Sequence, residues 1–200
     1  MDVKGFFIRS KNLLLSPTAE FKRISNEDRQ VASINKGYVT IVSLFVALLA
    51  LVGSVLTHIS APFNSFLFVL INAVIVFLLM ITHIFLSGRT ITLLGRNIAA
   101  NDRNSGFYAL SAYAQLPFFL ALGLIKLFPS LIFLIFIGFY SVLLFHTGTS
   151  IMTRIPSGKR IQFTALSILI MITSFIVCSE LYTLLYSEII REFSTFAAAR

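Results

Sequence analysis

The hydrophobic positions of this chain fall in long unbroken runs. Residues 38–58 (YVTIVSLFVALLALVGSVLTH) and 66–86 (FLFVLINAVIVFLLMITHIFL) each extend for 21 residues without Asp, Glu, Lys or Arg. At about 1.5 Å of rise per residue, a helix of that length is about 31 Å long and matches the hydrocarbon core of a bilayer. Three further runs follow at 107–127, 131–151 and 161–186; the first carries Pro117 and Lys126, the last Glu180. The runs are apolar on every face, whereas barrel strands alternate polar and apolar over about ten residues, so a transmembrane barrel is excluded. The expected fold is all-α: a polytopic membrane bundle of five transmembrane helices over 38–186, an N-terminal segment 1–37 and a short tail 187–200.

Residues 1–37 are too charged and interrupted to span. They split into two short amphipathic pieces. In SPTAEFKRISNEDRQ, Ser16 suits a helix cap, Pro17 the first turn, and Glu20 the positive end of the helix dipole. Phe21 and Ile24 share one face while Lys22, Arg23 and the NEDR run turn to water, the pattern of an amphipathic helix at the inner membrane interface. The patches GFFI and NLLL are far shorter than a signal-peptide core, so no cleavable signal is expected.

Composition agrees with the pattern: 57% of residues are hydrophobic, 12% are charged, and the mean hydropathy is +0.90. The charges add an orientation. Seven Lys and Arg precede the first span, three (Arg89, Arg96, Arg103) lie at 87–106 and three (Arg154, Lys159, Arg160) at 152–160. The opposite side holds Lys126, Arg191 and Arg200 alone. Thirteen against three places the N-terminus in the cytoplasm and the C-terminus outside. The net charge of +8 is therefore mostly topology, with some attraction for anionic lipid heads. Nucleic acid is not an expected partner, because the basic residues form no single aromatic-interleaved patch.

Several motifs, in order, carry a family resemblance. LLLSPTAEFKRIS before the first span, SGF at 105–107, AYAQLP at 112–117, FYSVLLFHTG at 139–148 and IPSGK at 155–159 resemble the Yip (Ypt-interacting protein) family of five-span membrane proteins. The resemblance covers nearly the whole chain and implies a cytoplasmic N-terminus. In eukaryotes it also implies membrane trafficking through Rab GTPases and through other family members. The chain lacks the long polar N-terminal extension of eukaryotic members and has Gly95-Arg96 where bacterial members often have paired glycines. It is similar to the bacterial type, which implies the inner (cytoplasmic) membrane.

Candidate chemistry is sparse. His83 and His146 lie near the inner ends of their runs and would share a depth, so a polar vestibule holding a metal or relaying protons is one reading. Ordinary interfacial hydrogen bonding is the favoured one, because no carboxylate lies in runs two to four to complete either site. Pro117 removes a backbone donor from the carbonyl of Tyr113, which a neighbouring helix, side chain or water must satisfy. With Ser111, Ala112, Ala114 and Gly123 thinning it, the third span is expected at the centre of the bundle. Asn72 and Gln115 are candidates for interhelical hydrogen bonds, and Lys126 and Glu180 for a pair or two snorkelling side chains. Cys178 is a single thiol and PSGK at 156–159 lacks the spacing of a phosphate loop.

No catalytic constellation emerges, and no cofactor is expected. The reading reached is a non-enzymatic membrane scaffold or adaptor whose partners are the bilayer and protein partners or copies of itself. The alternative is a small channel or transporter with a polar path along the broken third helix through Tyr113, Gln115 and the two His residues.

Overall fold

The computed structural model describes residues 2–27, 30–57, 64–98 and 104–198. Among them every regular element is helical. Two short helices, α1 (Val3–Leu15) and α2 (Pro17–Asn26), precede span one (Val31–Thr57) and span two (Asn64–Ile98). Span three is two half-helices, Asn104–Ala114 and Leu116–Leu127. Span four (Pro129–Met152) and span five, within the helix Arg160–Ala198, complete five helices long and apolar enough to cross a membrane. Arg103 lies outside the described residues.

Span three is the axis of the bundle. In its most apolar stretch 72% of residues are buried, against 22–50% in the other four. Its first half packs against spans two and four and its second half against span one and the start of span four. Small residues permit the close approaches. A Cβ on Gly53 of span one would collide with the backbone carbonyl of Lys126 in span three, so only glycine allows the two backbones to meet there. The outer faces are greasy: Leu70, Val74 and Leu78, four residues apart along span two, are all exposed, as are Leu169, Ile172 and Ile176 on span five. An apolar exterior of this extent belongs in hydrocarbon.

Three elements depart from the lengths the sequence pattern predicts. The helix of span two does not stop at 86 but continues to Ile98, because its last turns bury Ile91 and Gly95 on one side and turn Arg89 and Arg96 to the surface. His83 therefore lies well inside this helix and not near its inner end. The helix of span five likewise runs on past 186, through the expected tail, to Ala198. Span four begins as an eleven-residue 3-10 segment, Pro129–Phe139, before turning α-helical at Tyr140. A three-residue turn aligns Phe133, Phe136 and Phe139 above one another, and the rings of Phe136 and Phe139 stack 6.2 Å apart.

The N-terminal helices form a hairpin bound to the end of this bundle. Asp2 caps α1, its Oδ1 accepting from the Gly5 amide at 2.9 Å. Phe6, Arg9, Ser10 and Leu13 make the buried stripe of α1; Glu20, Phe21 and Ile24 make that of α2. The expected shared face of Phe21 and Ile24 exists, but it is turned to protein and not to the membrane interface. Phe21 fills the space left by Gly148 of span four, beside Leu110 of span three. Lys22 and Arg23 are exposed, and α1 leaves Phe7, Ile8 and Leu15 exposed on its outer side.

Candidate functional site

The site is built around the break in span three. Pro117 has no N–H, so the helix stops at Ala114 and restarts at Leu116, with Gln115 at φ −79 and ψ −2 in the gap. The next amide, that of Phe118, leaves the helical ladder and donates to Ser141 Oγ of span four at 3.3 Å. A neighbouring span thus supplies the acceptor that lipid cannot.

Gln115 turns this break into a polar node. Its Oε1 lies 2.6 Å from His83 Nε2, and its Nε2 lies 3.1 Å from the Ser111 carbonyl and 3.3 Å from the hydroxyls of Ser87 and Ser111. A backbone carbonyl only accepts, which fixes the amide nitrogen on that side and its oxygen toward His83. His83 must then carry its proton on Nε2, leaving Nδ1 to accept from the Ser174 hydroxyl of span five at 3.1 Å. Spans two, three and five are tied through one neutral imidazole, itself 1% exposed and edge-on to Phe119 and Phe175.

Two residues before Gln115, Tyr113 reaches a second centre. Arg9 of α1 donates from one terminal nitrogen to the Tyr113 hydroxyl at 3.1 Å and grips Glu27 with both, at 3.1 and 2.5 Å. Its Nε stands 3.4 Å from Glu20 Oε1, an ion-pair distance without hydrogen-bond alignment, while Asn12 donates to the other Glu20 oxygen at 3.1 Å. Tyr38 of span one packs against Tyr113 with ring centroids 4.3 Å apart, and Phe6 against Tyr38 at 5.5 Å, both pairs tilted. Burial opposes the charge on Arg9, but the hydrogen bonds to Glu27 and Tyr113 outweigh it and raise its pKa. The guanidinium stays charged inside the protein. Nearby, Tyr108 donates a short hydrogen bond to Asn35 Oδ1, in the π-helical turn Asn35–Val39 that opens span one.

Behind His83 and Gln115 lies a cavity of about 330 Å³ between spans three, four and five. Ser141, Phe118, Met171 and Phe175 line it further, and Ile135, Phe139, Val142 and Ile172 surround its mouth. Neither Tyr113 nor His146 lines it.

Residues 11–178 match the Yip1 domain. The chain belongs to the Yip1 family. No curated protein matches the chain. No solved structure matches it. The matched stretch includes Glu20, Glu27, the break at Pro117, the His83 node and the whole cavity lining. Arg9, which closes the N-terminal centre, lies two residues before it.

Elsewhere in this Yip1 protein the candidate residues are dispersed. His146 is exposed on span four, with Nδ1 3.5 Å from Thr164 Oγ1, so the two His residues do not form a vestibule, the less favoured reading of the sequence. One imidazole faces inward and the other outward on different helices. Asn72 of span two donates to Ser54 Oγ of span one at 3.0 Å and accepts from the Tyr182 hydroxyl of span five at 2.7 Å. Lys126 lies 4.7 Å over the Tyr182 ring while Glu180 is exposed, so an aromatic face and not a carboxylate receives the ammonium. Arg89, Arg96, Arg154 and Lys159 are exposed, Arg89 over Phe85, and Arg160 donates to the Ile155 carbonyl at 3.2 Å. Cys178 is buried. Sequence reasoning missed Arg9, Glu27 and Ser174. The available signal for Arg9 was an arginine in the middle of the apolar stripe Phe6–Leu13.

Proposed function

We propose that this Yip1-family protein is a non-enzymatic scaffold or adaptor of the cytoplasmic membrane. Its N-terminal hairpin faces the cytoplasm and its C-terminus the outside, the orientation that places most of its basic residues inside. The observation that carries this reading is how the buried polar side chains are used. Arg9, Asn72, His83 and Gln115 each join residues from different helices. Such bonds fix a shape. That shape holds the hairpin by Phe6, Arg9 and Phe21 while Lys4, Lys11, Lys22 and Arg23 stand exposed. A basic surface held at a set position on a membrane bundle suits recognition of an acidic protein face or a second copy of the chain.

Crosslinking in native membranes from a photoreactive residue at position 11 or 22 tests it. A defined protein partner or a self-complex is expected, and it should vanish when the basic residues among Lys11, Lys22 and Arg23 that do not carry the probe are changed to Glu. Recovery of lipid alone removes the adaptor reading. A reporter fused after Arg200 tests the orientation: activity on the cytoplasmic side overturns it.

A further inference from the structure

We propose that the cavity between spans three, four and five is a binding site for an uncharged, membrane-dissolved molecule ending in a carbonyl-bearing ring, the quinone class. At about 330 Å³ it reaches the lower end of the volumes that ligand pockets occupy. Its mouth sets the route of entry. Ile135, Phe139, Val142 and Ile172 are 37–67% exposed and belong to spans four and five, so the opening faces hydrocarbon. Its depth sets the charge. Gln115 lies near the middle of the span Gly106–Leu127, and Ser141 near the middle of the span Pro129–Met152. A charged or zwitterionic headgroup is too costly to bring there.

The floor sets the polar group. The hydrogen-bonding atoms of His83 and the amide hydrogens of Gln115 are already engaged. Ser141 is different: it is 7% exposed, its oxygen accepts from the Phe118 amide, and its own proton has no acceptor among the described residues. A buried donor in apolar surroundings calls for an acceptor, and a ring carbonyl supplies one without adding a proton that the apolar walls would leave unpaired. The walls suit the ring. Phe118, Phe139 and Phe175 line the cavity, and Phe118 and Phe175 meet edge to face at 4.9 Å. A plain acyl chain fills the same volume and leaves the Ser141 proton unsatisfied.

The chain has no Trp, so Ile172→Trp places a single emitter at the mouth. The full chain carrying this change, in phosphatidylcholine nanodiscs, is titrated with decylubiquinone, which quenches indole fluorescence, and with decylbenzene as a carbonyl-free competitor. Saturable quenching is expected, with decylbenzene at least about five-fold weaker as a competitor and Ser141→Ala raising the apparent Kd about five- to ten-fold, the value of one hydrogen bond. Val142→Phe, which narrows the mouth, should abolish saturation. Quenching that rises linearly with quinone in the lipid overturns the site. Equal competition by decylbenzene overturns the carbonyl assignment, and that comparison does not depend on Ser141→Ala folding.

Discussion

The Arg9 guanidinium donates to the Tyr113 hydroxyl at 3.1 Å, joining the first helix of the chain to the half-helix that leads into the break of span three. Arg9 thereby connects α1, the end of α2 at Glu27, and the central span. Removing one member of a buried ion group leaves the others uncompensated. Arg9→Met should lower stability by about 3–5 kcal/mol, since Glu20 is left buried and charged. Adding Glu20→Gln should restore a large part of the loss. Helix ellipticity followed through denaturation in mild detergent, for both singles and the double, measures the coupling.

Gly148→Leu should loosen the hairpin, together with the contact between spans three and four. The new side chain would occupy the space of Leu110 and Phe21. Overpacking of this kind costs about 1–3 kcal/mol, which corresponds to about five- to 150-fold in local opening. Tryptic cleavage at the exposed Lys22 and Arg23 should accelerate by that factor. An unchanged cleavage rate would show that Phe21 does not hold α2.

Asn72→Leu should loosen spans one and five from span two, because one amide serves both Ser54 and Tyr182. Interhelical hydrogen bonds in membranes are worth about 0.6–1.7 kcal/mol, so a loss of about 1–3 kcal/mol is expected for the two. Unfolding in a graded series of SDS mole fractions reads it directly. Tyr182→Phe should account for one share of that loss.

Gln115→Leu should cost about 1–3 kcal/mol, because the His83 Nε2 proton then faces apolar surroundings. Pairing it with His83→Phe should recover part of the loss, since both ends of the bond are then gone. A double-mutant cycle on thermal midpoints separates this coupling from simple packing.

Much of the architecture was legible in the sequence because lipid imposes a simple rule: runs of about 20 apolar residues form helices. The count of five and the central position of span three follow from that rule and from the small residues around Pro117. The ends of the helices were not legible. A hydropathy run reports immersion, and the helix of span two continues as an amphipathic rod in which Ile91 is buried and Arg96 exposed. At the site, Pro117, Gln115, Tyr113 and Asn72 stood out by residue type, as polar or helix-breaking groups in apolar surroundings. Their partners did not. Ser174 meets His83 across 91 residues and Arg9 meets Tyr113 across 104, and no local spacing encodes such pairs. The 3-10 start of span four was equally hidden, since its apolar run fits an α-helix as well.

The docking of α2 also orders the molecule in time. The groove that receives Phe21 has one wall from Leu110 and its floor at Gly148, so it does not exist until four spans have been made and inserted. The hairpin is synthesised before the spans and must wait, with Arg9, Glu20 and Phe21 facing water or lipid headgroups, while more than a hundred residues pass into the bilayer. A segment made ahead of the spans is thus among the last to reach its place, and its arrival marks a bundle that has closed correctly.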